Sequence, residues 1–351
     1  MTSLSLKKIV TLLLLCIALL PAKAEIGVDA VCITPDGKFS FSHLYQDSVV
    51  YQWDNTTKSF VRKYSLFKRE KYYKPLLTAT SDSKFLVIGE AHGTMVVDVT
   101  NGKVRHLPLV DGRATVNNQI VGQGVKSEQR KATGYFESKS ALSYYDAASG
   151  SLVKTIDFPE EIYLSGLRGE SFSKDGKRMT LRTSKELRVI DIEQVKVVAT
   201  LKFKDLYKHK YALNNTGTSL VIGYEEKDCE VYNVETKKVV SKIHYYPIWF
   251  CGFSPDDKHV FASTYKQMAL WDWSKPKPEY AHEIFEKGTK YQFNHKEAVS
   301  GLVTSSTSFH SDYAWREMAF SEDGAWMVAG TDKGFPILIE TKSRKLWSLQ
   351  N

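Results

Sequence analysis

Only four cysteines occur among 351 residues, too few to staple a scaffold of this size with disulfides. The catalytic signatures that spacing alone can reveal are missing as well. There is no Cys-x-x-Cys-His for covalent haem, no His-Glu-x-x-His, no Gly-x-Ser-x-Gly and no phosphate loop. A calcium loop is lacking too, since Asp98-Val99-Thr100-Asn101-Gly102 does not alternate its ligands. His282, His295 and His310 stand 13 and 15 residues apart, too loosely for metal geometry. These absences predict neither cofactor nor metal, and favour a chain that is not an enzyme. One long apolar run exists, at residues 9–20. The whole chain is 42% hydrophobic, 12% aromatic and 25% charged, with mean hydropathy −0.31. That is too apolar for a disordered chain and too polar for a membrane-embedded one.

Residues 1–24 read as an address. Lys7 and Lys8 precede the apolar run Ile9 to Leu20, Pro21 ends it, and Ala22-Lys23-Ala24 has the small-x-small form of a signal-peptidase site. Twelve helical residues rise about 18 Å, short of a hydrocarbon core of about 30 Å, so a cleaved leader is favoured over a retained anchor. Cys16 follows Leu15 rather than a small residue, which disfavours lipidation. Losing Lys7, Lys8 and Lys23 takes the formal charge from +8 to +5. It also leaves Cys32, Cys229 and Cys251, an odd number set among apolar neighbours. Buried free thiols are the favoured reading, with a Cys229–Cys251 bridge left open. Asn55-Thr56-Thr57 fits the glycosylation sequon.

From residue 25 onward the chain repeats itself. A turn of the form Ser/Thr-x-Asp-Gly-Lys recurs as Thr34–Lys38, Ser81–Lys84, Ser173–Lys177, Asn214–Thr218, Ser254–Lys258 and Ser321–Ala325. Such turns suit tight hairpins, because glycine accepts positive φ and Asx side chains bond their own backbone. The third unit carries a degraded version at Ser127-Glu128-Gln129-Arg130. A second mark follows each turn, an apolar residue before an acid or amide. The set is Trp53-Asp54, Val97-Asp98, Tyr145-Asp146, Ile190-Asp191, Tyr232-Asn233, Trp271-Asp272 and Ile339-Glu340. The marks recur every 39 to 48 residues, except for a last interval of 68 that holds an insertion at about 275–314. Between marks lie short β-branched and aromatic runs, such as Leu76–Ala79, Phe85–Gly89, Met95–Val97 and Val104–Leu107. Those are strands, four to a unit.

Seven such units resemble the WD40-like (WD40/YVTN) repeat β-propellers over residues 26–350. The resemblance implies an all-β, seven-bladed β-propeller of four-stranded antiparallel blades, one domain over 25–351. No unit has the Gly-His dipeptide of intracellular WD40 repeats, which suits a divergent exported bacterial relative. First and last units each hold four strands, so the ring should close by packing of Ala30–Ile33 on Trp315–Phe320.

A four-stranded meander, a (inner) to d (outer), puts a–b and c–d turns on one face. The b–c and d–a connections share the other. The Asp-Gly turns are short, whereas the d–a connections are longer and varied, and binding residues concentrate on such loops. Connections 65–74 and 202–211 each carry +3. The candidate partner-binding residues there are Arg69, Lys71, Tyr72, Tyr73, Arg168, Lys208, His209, Lys210, Trp249, Trp315 and Arg316. Tyr, Trp and Arg dominate binding hot spots, and exposed cations steer acidic partners. The expectation is an exported, monomeric, non-enzymatic propeller that docks a protein, peptide or envelope component, without a transmembrane anchor once processed. A face surplus near +4 is thin for nucleic acid. The rival is a propeller enzyme or cofactor protein of lactonase or haem type. It would need acids or histidines converging on the channel mouth, and the inner strands offer only Asp29, Glu170 and Glu317 as scattered candidates.

Overall fold

The recurring turn signature builds one hydrogen-bonded device again and again. The Thr34 hydroxyl donates to Asp36 Oδ1 at 2.6 Å and accepts from Phe39 N–H at 3.0 Å. Lys38 N–H donates to the same carboxylate at 3.1 Å. Equivalent hydroxyl–carboxylate bonds join Thr80 to Asp82, Ser173 to Asp175, Ser254 to Asp256 and Ser321 to Asp323, all within 2.7 Å. The fourth turn position is left-handed in all seven units: Gly37, Ser83, Asn118, Gly176, Gly217, Asp257 and Gly324. At Gly37 (φ 72°) the absent side chain also matters, because a Cβ there would stand 2.7 Å from Trp326 Cδ1.

The second mark has an equally local cause. Each acid ends the third strand of its unit and caps the c–d turn. Asp54 Oδ1 accepts from Thr56 and Thr57 N–H at 2.7 and 3.0 Å, Asp98 Oδ1 from Thr100 and Asn101 at 2.9 and 3.1 Å. Asp146, Asp191, Asn233 and Asp272 take turn N–H groups in the same way. Backbone bonds such as Asn55 N–H to Lys38 O and Val99 N–H to Lys84 O tie a–b and c–d turns together on one face.

The structure is a computed structural model. It describes residues 27–350 apart from 45–47, 67–73, 126–137, 160, 161, 163, 165, 166, 168, 169, 205, 207, 208, 245–247, 264–267, 276–278, 286–290, 293–307, 310–314, 332–334 and 344. The leader expected at 1–24 lies outside the described residues. The chain forms seven antiparallel blades around a central channel. Blade 1 runs Val28–Ile33, Phe39–Leu44, Val49–Asp54 and Ser59–Ser65, its strands paired in that order. Blade 2 spans Leu76–Ala79 to Val104–Leu107 and blade 3 spans Leu109–Ala114 to Leu152–Asp157. Blade 5 starts at Lys210–Leu213, blade 6 at Phe250–Phe253 and blade 7 at Trp315–Phe320. In blade 4 the innermost strand shrinks to the Phe172–Met179 bridge inside Arg178–Arg182. The first strands of blades 5, 6, 7, 1, 2 and 3 pack on one another in that order, which makes them channel wall.

Apolar burial follows the same seven-fold plan. Among the described residues seven core clusters occur, each bridging two neighbouring blades. One joins Phe41 and Val50 of blade 1 to Leu86 and Val97 of blade 2, and another joins Leu187 of blade 4 to Leu220 of blade 5. The others fill the remaining interfaces. Each blade is therefore wedged between two others, and hydrophobic burial holds the ring rather than any single blade. At the seam between blades 7 and 1, Val28, Val31 and Ile33 pack with Val328, Leu338 and Leu349. Glu322 N–H donates to Pro35 O at 2.9 Å, and Lys58 Nζ sits 4.3 Å from the Trp326 ring centre. Among the described residues no strand is exchanged across the seam, in accord with the sequence.

Several expectations are corrected. The a–b turn of blade 3 is Thr115–Asn118, closed by Thr115 N–H to Gln119 O at 2.8 Å. The run Ser127–Arg130 instead falls in the b–c connection, outside the described residues. Not every d–a connection is long: Pro108 alone links blades 2 and 3, and Leu109–Ala114 is channel wall. Blade 6 is completed by Glu279–Phe285, so its connection to blade 7 starts later than 275. Tyr291–Gln292 pairs with Ser308–Phe309 within that connection. The sequon is closed off, because Asn55 is buried and its Nδ2 donates to Gly37 O at 2.8 Å. The favoured reading of the cysteines holds, since Cys32, Cys229 and Cys251 are all free and buried.

Candidate functional site

The two ends of the channel differ in kind. At the d–a end, where the first strands begin, carboxylates are held by built-in partners. Asp29 Oδ1 lies 2.7 Å from Nδ1 of the fully buried His43. Glu317 accepts Val31 N–H at 3.1 Å across the seam and pairs with Lys74 at 3.1 Å. Desolvation pushes the Glu317 carboxyl upward, and the Lys74 ammonium opposes this. Glu170 accepts from the Thr180 hydroxyl at 2.9 Å and Arg182 N–H at 3.0 Å, with Tyr211 OH at 3.4 Å. Burial raises the Glu170 carboxyl as well, against those hydrogen bonds. The three acids therefore fall into two groups. Asp29 and Glu317 meet at the seam, whereas Glu170 belongs to blade 4 beside Arg113 and Tyr211.

Of the eleven candidate binding residues, three are described with their side chains. Trp249 is 49% exposed in the connection from blade 5 to blade 6, its N–H donating to Ser263 O at 2.8 Å. Beneath it Ile248 is buried, 2.3 Å from where a Cβ at Gly223 would stand, so only glycine admits that approach. Lys210 is exposed and opens the first strand of blade 5. His209 is half-buried and packs edge-on against Tyr224, ring centres 4.8 Å apart, with Phe203 at 5.3 Å. Its ring is thus part of an aromatic stack rather than an outward-facing group. Tyr224 in turn donates to Glu230 at 2.8 Å and lies 3.7 Å under Lys227 Nζ. Trp315 and Arg316 open the first strand of blade 7, with backbone alone described. Arg69, Lys71, Tyr72, Tyr73, Arg168 and Lys208 lie outside the described residues.

The a–b end holds what sequence reasoning missed: a cavity of about 410 Å³ in the channel, lined by residues of all seven blades. Phe172, Phe253, Phe261 and Phe320 supply its aromatic wall. Arg113 reaches it from blade 3, its Nη1 and Nη2 donating to Glu170 O and Leu167 O at 2.7 Å each. The guanidinium centre lies 4.4 Å from the Phe172 ring centre, and Nε–H has no hydrogen-bond partner. Burial lowers the Arg113 pKa to about 10, with Asp111 and Glu170 resisting, so the charge persists at neutral pH. At the rim Lys174 of blade 4 pairs with Glu322 of blade 7 at 2.7 Å. No sequence signal points to this cavity, since its wall comes one or a few residues at a time from every repeat.

Among the described residues, no group of three or more His, Cys, Asp and Glu side chains is arranged to hold a metal ion. No helix among them is long and apolar enough to cross a membrane. No protein-family model matches the chain, and no curated protein matches its sequence.

Proposed function

We propose that this propeller, of WD40-like type, is an exported, non-enzymatic binding module that docks a protein or peptide partner on its d–a face. The observation that carries this reading is Trp249, nearly half exposed on a backbone held by the Ser263 bond and the buried Ile248 anchor. About 100 Å² of its indole stands in water, and covering it would contribute about 2.5 kcal/mol to association. A rigid aromatic of this kind loses little conformational freedom on docking, the usual profile of an interface anchor. Lys210 and the basic connections at 65–74 and 202–211 supply steering toward an acidic partner. Export rests on the leader-like residues 1–24.

The test reverses Arg69, Lys71, Lys208 and Lys210 to Glu and measures binding to the native partner at two salt concentrations. Binding is expected to weaken and to lose most of its salt dependence, while reversal of Lys38, Lys177 and Lys258 on the a–b face leaves it unchanged. Equal loss from both sets would defeat the assignment of the face.

A further inference from the structure

The a–b mouth is built to stay open yet guarded. Neighbouring turns bond to one another around it: Asp36 N–H to Ser83 Oγ at 3.0 Å, Asp82 N–H to Asn118 Oδ1 at 3.0 Å, and Asn215 N–H to Asp257 Oδ1 at 3.0 Å. Asn215 Nδ2 also donates to Pro255 O at 2.7 Å, and the seam adds Glu322 N–H to Pro35 O. These bonds fix the rim, so the cavity beneath is preformed. Blades 4 and 7 stand three places apart, the widest separation a seven-membered ring allows. The Lys174–Glu322 pair therefore spans the mouth like a bar. Both side chains remain partly in water, at 38% and 52% exposure, so the bar is weakly held and can swing aside.

Charge and shape then define an occupant. Among the described residues, the charged ones lining the cavity are Arg113, Lys174 and Glu322, a surplus of one positive charge. Arg113 donates to two carbonyl oxygens and lies against an aromatic face, while Asp111 and Glu170 are near enough to act on its charge. The body of the cavity is aromatic, with Phe261 and Phe320 ring centres 5.0 Å apart. We propose that the channel mouth binds a small molecule with an apolar ring-sized body and one acidic group. The body packs among Phe172, Phe261 and Phe320, and the acid takes the place of Glu322 on Lys174. Buried Arg113 adds positive potential from within the channel. This site lies at the opposite end from Trp249, and the inference is independent of the docking surface proposed there.

Two fluorescent probes of the same body separate shape from charge. 8-Anilino-1-naphthalenesulfonate carries the acid, and N-phenyl-1-naphthylamine is the same skeleton without it. Titrated into the full mature chain, the sulfonate should bind more tightly than the amine. Lys174→Met should weaken sulfonate binding at least about twofold, and Glu322→Gln should tighten it about two- to fivefold, the span of an exposed ion pair. Neither change should move the amine. Val116→Trp, at the half-exposed rim, should block both probes, and Trp249→Ala should affect neither. Equal affinity for the two probes would overturn the acid selectivity. Binding that ignores Val116→Trp, or that depends on Trp249, would place the probes elsewhere and overturn the site.

Discussion

Leu349→Ala tests whether packing alone closes the ring. Leu349 is fully buried at the seam between blades 7 and 1, among Val28, Val31, Ile33, Trp53, Val328 and Leu338. Its N–H donates to Pro336 O at 3.0 Å, a backbone bond that the substitution leaves intact. The loss is therefore confined to side-chain burial and the cavity left behind. Leu→Ala changes in well-packed cores cost about 2.7–5 kcal/mol, so a loss of at least about 3 kcal/mol is expected at this fully buried position. In urea, with a slope of about 3 kcal/mol/M for a chain of this size, the midpoint should fall by about 1 M. The slope itself should not change, and one transition should remain because every blade depends on two neighbours. Val240→Ala, on the outer strand of blade 5 and 51% exposed, is the matched control and should cost under about 0.5 kcal/mol. A Leu349→Ala loss no larger than the control's would refute closure by seam packing.

Two further outcomes follow from burial and from the turns. For Asp36 and Asp256, burial would raise the carboxyl, but bonds from Thr34 or Ser254 and from the turn N–H outweigh it and hold the group below the usual range. At Asp323 the Ser321 hydroxyl and Ala325 N–H lower it directly. Lowered carboxyls stabilise the fold above the unfolded pKa of about 3.9 and lose that contribution as pH falls through their lower folded values. Thermal melting should thus fall steeply below about pH 4. The triple change Asp36→Asn, Asp256→Asn, Asp323→Asn should be less stable at pH 7 but show a shallower acid slope; an unchanged slope would contradict the turn account. Burial pushes the Cys32 and Cys251 thiols up to about 12, and Cys229 upward as well. Ellman's reagent at pH 8 should find none of the three in the native chain and all of them in denaturant, while prompt native reaction would place a thiol at the surface.

The parts of the fold legible in the sequence are those whose cause is local. The Ser/Thr-x-Asp turns and the capping acids at Asp54, Asp98, Asp146 and Asp272 bond within a few residues of themselves, so their spacing reads directly as blades. Blade 3 hid its turn because Thr115-Val116-Asn117-Asn118 has neither an aspartate at the third position nor a glycine at the fourth, one or other of which marks each of the other six turns. Its inner strand hid too, since Leu109-Val110-Asp111-Gly112-Arg113-Ala114 is polar enough to pass for a loop. That polarity serves the channel. Gly112 admits Thr94, whose hydroxyl accepts the Gly112 N–H at 3.0 Å, and Arg113 binds the carbonyls of blade 4. The cavity was illegible for a geometric reason: its lining joins Cys32 of blade 1 to Phe172 of blade 4 across the ring, a relation that periodicity does not encode.

Site-specific photo-crosslinking in the native host tests the central proposal most directly. A photoreactive phenylalanine analogue placed at Trp249, and separately at Lys38, Lys177 and Lys258, records what each face touches. The account predicts one adduct of constant mass from position 249, abolished by the charge reversals on the same face, and none from the three turn positions. No adduct at 249, or the same adduct from the turn positions, would contradict docking through the d–a face.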